Sequence, residues 1–263
     1  MTPNPATITA GDSQSYTAQG VDSFGNPTGD VTSSTTFSIA PDGSCTGASC
    51  TASVAGAHTV TGTDGVATGM ASLTVTVGSF AKLQLLVPGE TAAPGTGSGK
   101  TGPPSIEYVN GPFNVMVNAV DQYWNVVTTS GGNPINDTVH FTSTDGSAVL
   151  PDPDPALSSG TGTFSVTLET VSNPASTTIT TSDATDGSKT SNTSPAIEVI
   201  IVYTASISPA DAGTGQATNY TLTVNNAAAP NANTLRSVKM AIPAGAGFGQ
   251  QHVCERGCIP GAR

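Results

Sequence analysis

Two short stretches of this sequence decide its fold: Val21-Asp-Ser-Phe-Gly-Asn26 and, 99 residues further on, Val120-Asp-Gln-Tyr-Trp-Asn125. Each follows an alternating stretch, 16–20 in the first copy and 115–119 in the second, whose side chains share one face at every other position, as in a half-buried strand. An Asp side chain can bond backbone groups two residues further on, and Asn tolerates the left-handed conformation. The pattern therefore predicts two equivalent structural turns, organised by Asp22 and Asn26 and by Asp121 and Asn125.

The recurrence of this pattern indicates an internal repeat made of strands. Further alternating stretches, such as 71–77 and 162–168, are bounded by Gly, Pro, Asn and Asp, which is typical of a β-sandwich or barrel. We therefore predict an all-β protein of tandem immunoglobulin-like antiparallel β-sandwiches. The side chains predicted to fill the two cores are Tyr16, Phe37, Val60, Leu73 and Val75, and then Leu85, Val115, Val117, Phe141, Phe164, Val166 and Leu168.

The repeat also predicts domain boundaries. A first immunoglobulin-like domain covers residues 1–78, and a second covers 79–201 with a long Pro/Gly-rich loop at 88–112. Residues 202–249 supply about three strands, too few to close a sandwich, and are predicted to be an incomplete third domain. Residues 250–263 form an atypical tail that shares neither composition nor pattern with the repeats, and we hypothesise that a truncated or frame-shifted coding sequence produced it.

Composition excludes several classes of protein. The 263 residues include 41 Thr and 28 Ser but only 10% charged residues, and no apolar run approaches the ~18 residues of a membrane-spanning helix. The net charge is −11, and residues 1–235 hold 17 acidic side chains against three lysines. An acidic chain lacks the basic footprint that nucleic acids and anionic membranes require. We therefore expect no nucleic-acid partner and no membrane insertion within this chain.

The N-terminus, Met1-Thr-Pro-Asn-Pro5, has no basic and no apolar region typical of a signal peptide. Either the protein is cytosolic or the chain is a fragment whose export signal lies upstream. The repeats favour a fragment of an extracellular or cell-surface protein.

The first copy resembles the bacterial immunoglobulin-like repeats of invasin and intimin. The resemblance is carried by Ile8-Thr-Ala-Gly-Asp-Ser-Gln14, by the turn Val21–Asn26 and by Gly56-Ala-His-Thr-Val-Thr-Gly62. It covers the first domain nearly end to end and the second in its middle and end, whereas 88–112 departs from a compact repeat. The resemblance implies modules that stack on a cell surface, with adhesion in a distal module.

One stretch imitates a nucleotide-binding loop. Pro94-Gly-Thr-Gly-Ser-Gly-Lys-Thr101 lacks the first Gly of the phosphate-binding motif, and Gly-Pro-Pro follows where a helix is needed. We therefore expect a flexible Gly/Ser/Pro loop. No Gly-x-Ser-x-Gly or His-Glu-x-x-His motif occurs, and the three His are scattered, so we predict that the protein is not an enzyme.

Cys45 and Cys50 bridge two predicted strands at a spacing that lets them face each other across a hairpin. A disulfide is the favoured interpretation, and two free thiols remain the alternative. No cofactor is predicted. Calcium at acidic turns such as Asp152-Pro-Asp154 and Asp183-Ala-Thr-Asp186 is a minor alternative, because carboxylates are ligands for hard cations.

Tyr123 and Trp124 are the one conspicuous aromatic pair. They are candidate ligand contacts, for example with a sugar, although packing between domains or sheets is the more ordinary role. Because Trp124 stands where the first copy has Gly25, we expect that this position does not require a positive φ and that the ring projects outward.

Together these features predict a non-catalytic structural or adhesive stalk that spaces a binding module from the cell. Its expected partners are the neighbouring repeats and a host-cell or other surface protein or glycan. The alternative is an accessory glycan-binding module of a secreted enzyme.

Overall fold

The computed structural model describes residues 1–201 and the backbone of two later strands. The chain divides into one compact unit, Met1–Ile200, and a second unit that begins at Ile201. The predicted incomplete domain at 202–249 lies outside the described residues except for those two strands, and the tail at 250–263 lies wholly outside them.

Only strands and turns occur among the described residues, and no helix is found there. The strands are β1 Ala6–Thr9, β2 Ser13–Ser15, β3 Gln19–Val21, β4 Pro27–Asp30, β5 Thr36–Ala40, β6 Ser44–Thr46, β7 Ser49–Thr51, β8 Gly56–Asp64, β9 Ala67–Thr76, β10 Lys82–Leu86, β11 Thr91–Ala92, β12 Lys100–Thr101, β13 Glu107–Tyr108, β14 Pro112–Val120, β15 Thr129–Ser130, β16 Asn133–Pro134, β17 Val139–Ser143, β18 Thr161–Thr167, β19 Ser172–Thr177, β20 Ile179–Asp183, β21 Asn192–Thr193, β22 Ile197–Ile200, β23 Tyr203–Ser208 and β24 Thr221–Asn226.

Strands β1–β9 form one set of sheets and β10–β22 another, and no described sheet combines the two sets. We call residues 1–78 the first module and residues 79–200 the second module. In the first module a four-stranded sheet, ordered β1-β9-β8-β5, packs on a three-stranded sheet, β2-β7-β6. The ladders are antiparallel apart from β1–β9 and, in the second module, β13–β22, which are parallel. This is an immunoglobulin-like sandwich architecture.

The core of the first module contains the predicted side chains, because strand periodicity sends every second one inward. Strand β1 has buried residues at Ala6 and Ile8, which alternate with the exposed Thr7 and Thr9. The threonine surplus of this sheet lies on its outer face.

The strand predicted over 16–20 is interrupted in the structure. Strand β2 pairs with β7, whereas β3 pairs with β4. Between them the Ala18 amide donates to the Thr32 hydroxyl, and the Tyr16 amide donates to the carbonyl of Ala48. The chain therefore changes partners within the predicted strand.

The second module contains three three-stranded sheets, β10-β14-β18, β17-β20-β21 and β13-β22-β19. The predicted core residues of this module are buried, with one exception. Phe164 is only half-buried and contacts Phe141 edge-on, with ring centroids 5.4 Å apart. Its contribution to stability is therefore expected to be smaller than that of a fully buried Phe.

The segment predicted as a long Pro/Gly-rich loop, 88–112, contains short paired strands. It contains the hairpin β11–β12 and ends in β13. The Lys100 ammonium lies 3.0 Å from the Glu90 carboxylate and donates to the carbonyl of Leu85, with the Lys side chain 11% and the Glu side chain 1% exposed. The Gln84 side chain, fully buried, donates to the carbonyl of Gly99.

The same contacts show that the stretch 94–101, which imitates a nucleotide-binding loop, is not built as one. Lys100 begins a strand and not a helix, and its ammonium is engaged by protein groups. The helix N-terminus that would hold phosphates is replaced by β12.

Candidate functional site: the turn between the modules

The turn of the first copy is closed by side-chain and backbone hydrogen bonds. Asp22 Oδ1 accepts from the amides of Phe24 and Asn26, both at 2.9 Å, and Asp22 Oδ2 accepts from Asn26 Nδ2 at 3.0 Å. The Asp22 amide donates to the carbonyl of Asn26, and the Gly25 amide donates back to that of Asp22. These bonds lower the pKa of the Asp22 carboxyl, with the Asn26 side chain as the largest cause.

The turn of the second copy repeats all five bonds. Asp121 Oδ1 accepts from the amides of Tyr123 (2.8 Å) and Asn125 (3.0 Å), and Asp121 Oδ2 accepts from Asn125 Nδ2 (2.9 Å). The Asp121 amide donates to the carbonyl of Asn125, and the Trp124 amide to that of Asp121. The structure thus places the four turn residues predicted from the sequence in two matching turns.

The residue that precedes the Asn of the turn has a positive φ in both copies. The angle is 85° at Gly25 and 72° at Trp124. The expectation drawn from the Gly-to-Trp exchange is therefore wrong: the turn does require a positive φ here. Trp124 adopts a backbone conformation that a bulky residue rarely takes. The contacts around Trp124 must therefore stabilise this conformation.

The two turns differ in their surroundings. Asp22 and Asn26 are exposed to solvent, whereas Asp121 is 1% and Asn125 is 4% exposed. The second turn is buried because the end of the first module covers it.

Three hydrogen bonds join the second turn to the first module. The Ala55 amide donates to Asn125 Oδ1, Asn125 Nδ2 donates to the carbonyl of Ser53, and the Gly78 amide donates to Asp121 Oδ2, each at 2.8 Å. The Asp121 carboxylate therefore accepts four hydrogen bonds. The side-chain amide of Asn125 accepts through Oδ1 and donates through Nδ2. A buried carboxylate satisfied in this way fixes its surroundings, because any displacement leaves a charge unpaired.

The Tyr123 ring extends this contact into the first module. It packs against Gly11 so closely that a Cβ at Gly11 would overlap the Tyr123 hydroxyl. Tyr123 is half-buried and adjoins the hydrophobic core of the first module. One of the two candidate ligand contacts is thus occupied by protein.

Trp124 faces its own module. Its ring contacts Gly99, its indole N–H donates to the carbonyl of Gly97 at 3.3 Å, and the Lys82 ammonium lies 3.5 Å from the ring centroid. Burial lowers the pKa of Lys82, against the opposing effect of the Asp121 charge. The ring is half-buried and does not project freely, contrary to expectation. A ligand contact by Tyr123 or Trp124 stays a prediction.

The inserted segment completes the junction. The Gly95 amide donates to the carbonyl of Tyr123 at 2.8 Å, and a Cβ at Gly95 would clash with Val54 of the first module. The Gly-rich stretch 95–99 is therefore shaped to pass between the aromatic pair and the first module.

A cleft of about 330 Å³ lies beside the junction. It is lined by both modules, with small polar residues, the apolar Val77 and Phe80, and no acidic or basic side chain. The lining offers hydrogen-bonding groups but nothing suited to acid–base chemistry.

Cys45 and Cys50 are joined by a disulfide across the hairpin β6–β7, where they face each other in register with Cα atoms 4.0 Å apart. Cys50 is fully buried. The bridge joins β6 to β7 within the three-stranded sheet of the first module.

Three of the four acidic side chains named as calcium candidates, those of Asp154, Asp183 and Asp186, have protein partners. Asp154 bonds His140 at 2.9 Å, and Asp183 Oδ1 accepts from the amides of Thr185 and Asp186. Within the described part of the chain, no three acidic, His or Cys side chains are grouped as metal ligands. Calcium binding stays a prediction.

Sequence reasoning missed the receiving side of the junction. Ser53 and Ala55 act through their backbone, which carries no side-chain signal. Gly11 and Gly99 matter because they leave room for an aromatic ring, and their partners are 112 and 25 residues away in the chain. The repeated Asp and Asn predict the turn itself, in both copies, and not the docking of the second copy.

Comparison with known proteins adds little beyond the fold class. No family model and no curated protein matches the chain. Among solved structures, domains 4 and 5 of the S-layer protein SbsC match with a TM-score of 0.26 and 23% identity, over 71% of this chain and 81% of that one. Bacteroides uniformis β-glucuronidase 3 matches with a TM-score of 0.31 and 11% identity, over 74% of this chain and 23% of that one. The titin tandem of Ig domains A164–A165 matches with a TM-score of 0.22 and 12% identity, over 75% of this chain and 93% of that one.

Likenesses at these TM-scores carry no functional conclusion. No helix long and apolar enough to cross a membrane is present in the described residues. The described chain is all-β and built of immunoglobulin-like sandwiches, the second of which docks on the first through a buried turn.

Proposed function

We propose that this chain is a non-catalytic structural part of a secreted or cell-surface protein, in which tandem immunoglobulin-like modules hold a binding module at a distance. The observation that carries the proposal is the set of three hydrogen bonds from Asp121 and Asn125 to the first module. A spacer needs modules that keep a fixed relative orientation, and these bonds supply one.

The energetics of the junction favour a fixed orientation. Opening the junction would break the hydrogen bond from the Gly78 amide to the Asp121 carboxylate. It would also break the bonds of Asn125 to the Ala55 amide and the Ser53 carbonyl. Because water replaces the lost partners, each neutral hydrogen bond contributes about 0.5–1.5 kcal/mol net, and the bond to the carboxylate contributes about 1.5–3 kcal/mol. Shape complementarity adds to this, because Tyr123 fits against Gly11 and Val54 against Gly95.

Three features support an extracellular setting. The Cys45–Cys50 disulfide is stable in oxidising compartments, where such bonds persist. The chain is acidic and poor in charged residues, as suits a surface protein that repels its neighbours. The resemblance to invasin- and intimin-type repeats supports the same setting.

The proposal is tested by the distance between spin labels on the two modules. Ser38 and Ser165 are exposed, one on each module, and are replaced by Cys for labelling in a Cys254→Ser, Cys258→Ser background. Double electron–electron resonance should give a narrow distance distribution. Adding Asp121→Ala and Asn125→Ala should broaden it, because the junction loses its bonds.

The matched control is Asp22→Ala with Asn26→Ala, the same substitutions in the equivalent turn that does not join these modules. It should leave the distribution narrow. A broad distribution in the unsubstituted protein would contradict a spacer role. Specific retention on a glycan array, abolished by Trp124→Ala, would favour the glycan-binding alternative instead.

A further inference from the structure

The turn of the first copy, Val21–Asn26, is built like the docked turn but is uncovered; we call it the free turn. Its five internal hydrogen bonds match those of Asp121–Asn125, partner for partner. Both copies have a positive φ at the residue before Asn. The backbone of the free turn is therefore already in the docking conformation, so binding would not require this loop to be ordered.

The groups that dock in the second copy are unused in the first. Asn125 Oδ1 accepts from Ala55, but among the described residues no donor reaches Asn26 Oδ1. Phe24, at the position of Tyr123, is 89% exposed. The free turn thus presents an exposed aromatic ring and an acceptor oxygen at the positions whose counterparts in the second copy contact the first module.

The free turn lies at the end of the first module opposite the one that receives the second module. Strands β2 and β3 lead from Gly11, which contacts Tyr123, to the free turn. Strand β8 likewise runs from Gly56, beside the receiving segment, to the β8–β9 turn, where Val66 is fully exposed. The first module thus has one end that receives a turn and another that presents one.

We propose that the free turn is a docking surface for the receiving end of another immunoglobulin-like module. The partner is defined by its chemistry: a backbone carbonyl and a backbone amide two residues apart, as in Ser53 and Ala55, beside a glycine that admits an aromatic ring. This inference rests on the proposed function, since it extends the same junction by one module. The surface is smaller than the existing junction, because the first module has no counterpart of Gly95 and its segment.

The test adds a receiving end to the full chain. A copy of residues 1–78 is joined in front of Met1 by a flexible Gly/Ser linker, which gives an effective concentration of about 1 mM. The added copy carries Thr59→Ser, at an exposed position, so that its peptides differ in mass from those of the original module. Hydrogen exchange is then followed in the peptide of the added copy that contains Ala55.

Docking should slow exchange of the Ala55 amide in the added copy about tenfold, for a dissociation constant near 0.1 mM. The comparison is the same fusion with Asp22→Ala and Asn26→Ala in the original first module, where the slowing should vanish. A second variant, Phe24→Ser, leaves the turn bonds in place and should reduce the slowing by removing the ring.

Equal exchange rates in the fusion and in its Asp22→Ala, Asn26→Ala variant would overturn the inference. In every variant, protection of the β8–β9 amides in both copies serves as the control that both modules are folded. The spin-label distance between the two natural modules is measured independently. A narrow distance with no slowing would leave the proposed function standing and remove only this inference.

Discussion

Asp22 and Asp121 organise the same turn, but only Asp121 is taken out of water. The local fold of the turn therefore comes from the Asp and Asn side chains alone and does not require a neighbouring module. What the neighbour adds is three hydrogen bonds and burial. This separation of local structure from docking makes the two copies natural controls for each other.

The first prediction compares the two asparagines. Asn125→Ala should lower the free energy of unfolding by about 2–4 kcal/mol, because it leaves the Ser53 carbonyl, the Ala55 amide and Asp121 short of partners. Asn26→Ala removes an exposed side chain and should cost at most about 1 kcal/mol. Urea unfolding measures both. Equal losses would show that burial at the junction contributes nothing.

The second prediction concerns the glycines beside Trp124. Gly99 has a φ of 73° and its Cβ would overlap the indole, so Gly99→Ala should destabilise the protein by about 2–4 kcal/mol. A Cβ at Gly97 meets open space, and Gly97→Ala should change stability by less than about 0.5 kcal/mol. Thermal unfolding of the two variants separates them. If neither substitution changes the thermal stability, Trp124 does not pack on Gly99.

The third prediction concerns pH. Burial, and then the negative charge of Asp183, raise the pKa of Asp137 above its ordinary value of 3.8. A raised carboxyl pKa means that the folded state favours the protonated form, so stability falls as the pH rises from 3.8 through the raised value. Asp137→Asn removes this loss, and its amide can donate to Asp183 Oδ2, which is buried without a hydrogen-bond donor.

Asp137→Asn should therefore stabilise the protein by roughly 0.5–2 kcal/mol at pH 7. The gain should shrink toward pH 3.5, where Asp137 is protonated in the unsubstituted protein as well. Melting temperatures across this range measure the difference. A gain independent of pH would exclude repulsion between the two carboxylates as its cause.

The strands show where sequence patterns succeed and where they stop. Alternation in 71–77 and 162–168 predicts β9 and β18 to within a few residues, because one face of each strand is buried. The segment 88–112 has no such alternation, and the sequence predicts a long loop there. Its order comes from isolated long-range contacts, Lys100 with Glu90 and Gln84 with Gly99, which leave no periodic trace in the sequence.

The fourth prediction tests that segment. Lys100→Met leaves the Glu90 carboxylate buried without its cation and should destabilise the protein by about 3–5 kcal/mol. Adding Glu90→Leu should recover most of the loss, since replacing a buried ion pair with apolar side chains is often close to neutral. Urea unfolding of the single and double variants measures this. A harmless Lys100→Met would mean that the segment is not held by this pair.

At the scale of the whole described unit, the sequence predicts the class of fold and the turn whose second copy lies at the junction. It does not predict the receiving half, since Ser53 and Ala55 contribute backbone groups and Gly11 contributes the absence of a side chain. Nor does it show that Trp124 keeps the positive φ of Gly25, because the contacts that hold it come from Gly99 and Lys82.

The central claim, that the buried turn fixes the two modules in one orientation, is tested most directly by residual dipolar couplings of backbone amides in each module. One shared alignment tensor for residues 1–78 and 79–200 is the predicted result in the unsubstituted protein, with two different tensors once Asp121→Ala and Asn125→Ala are introduced. Two different tensors in the unsubstituted protein would contradict the account.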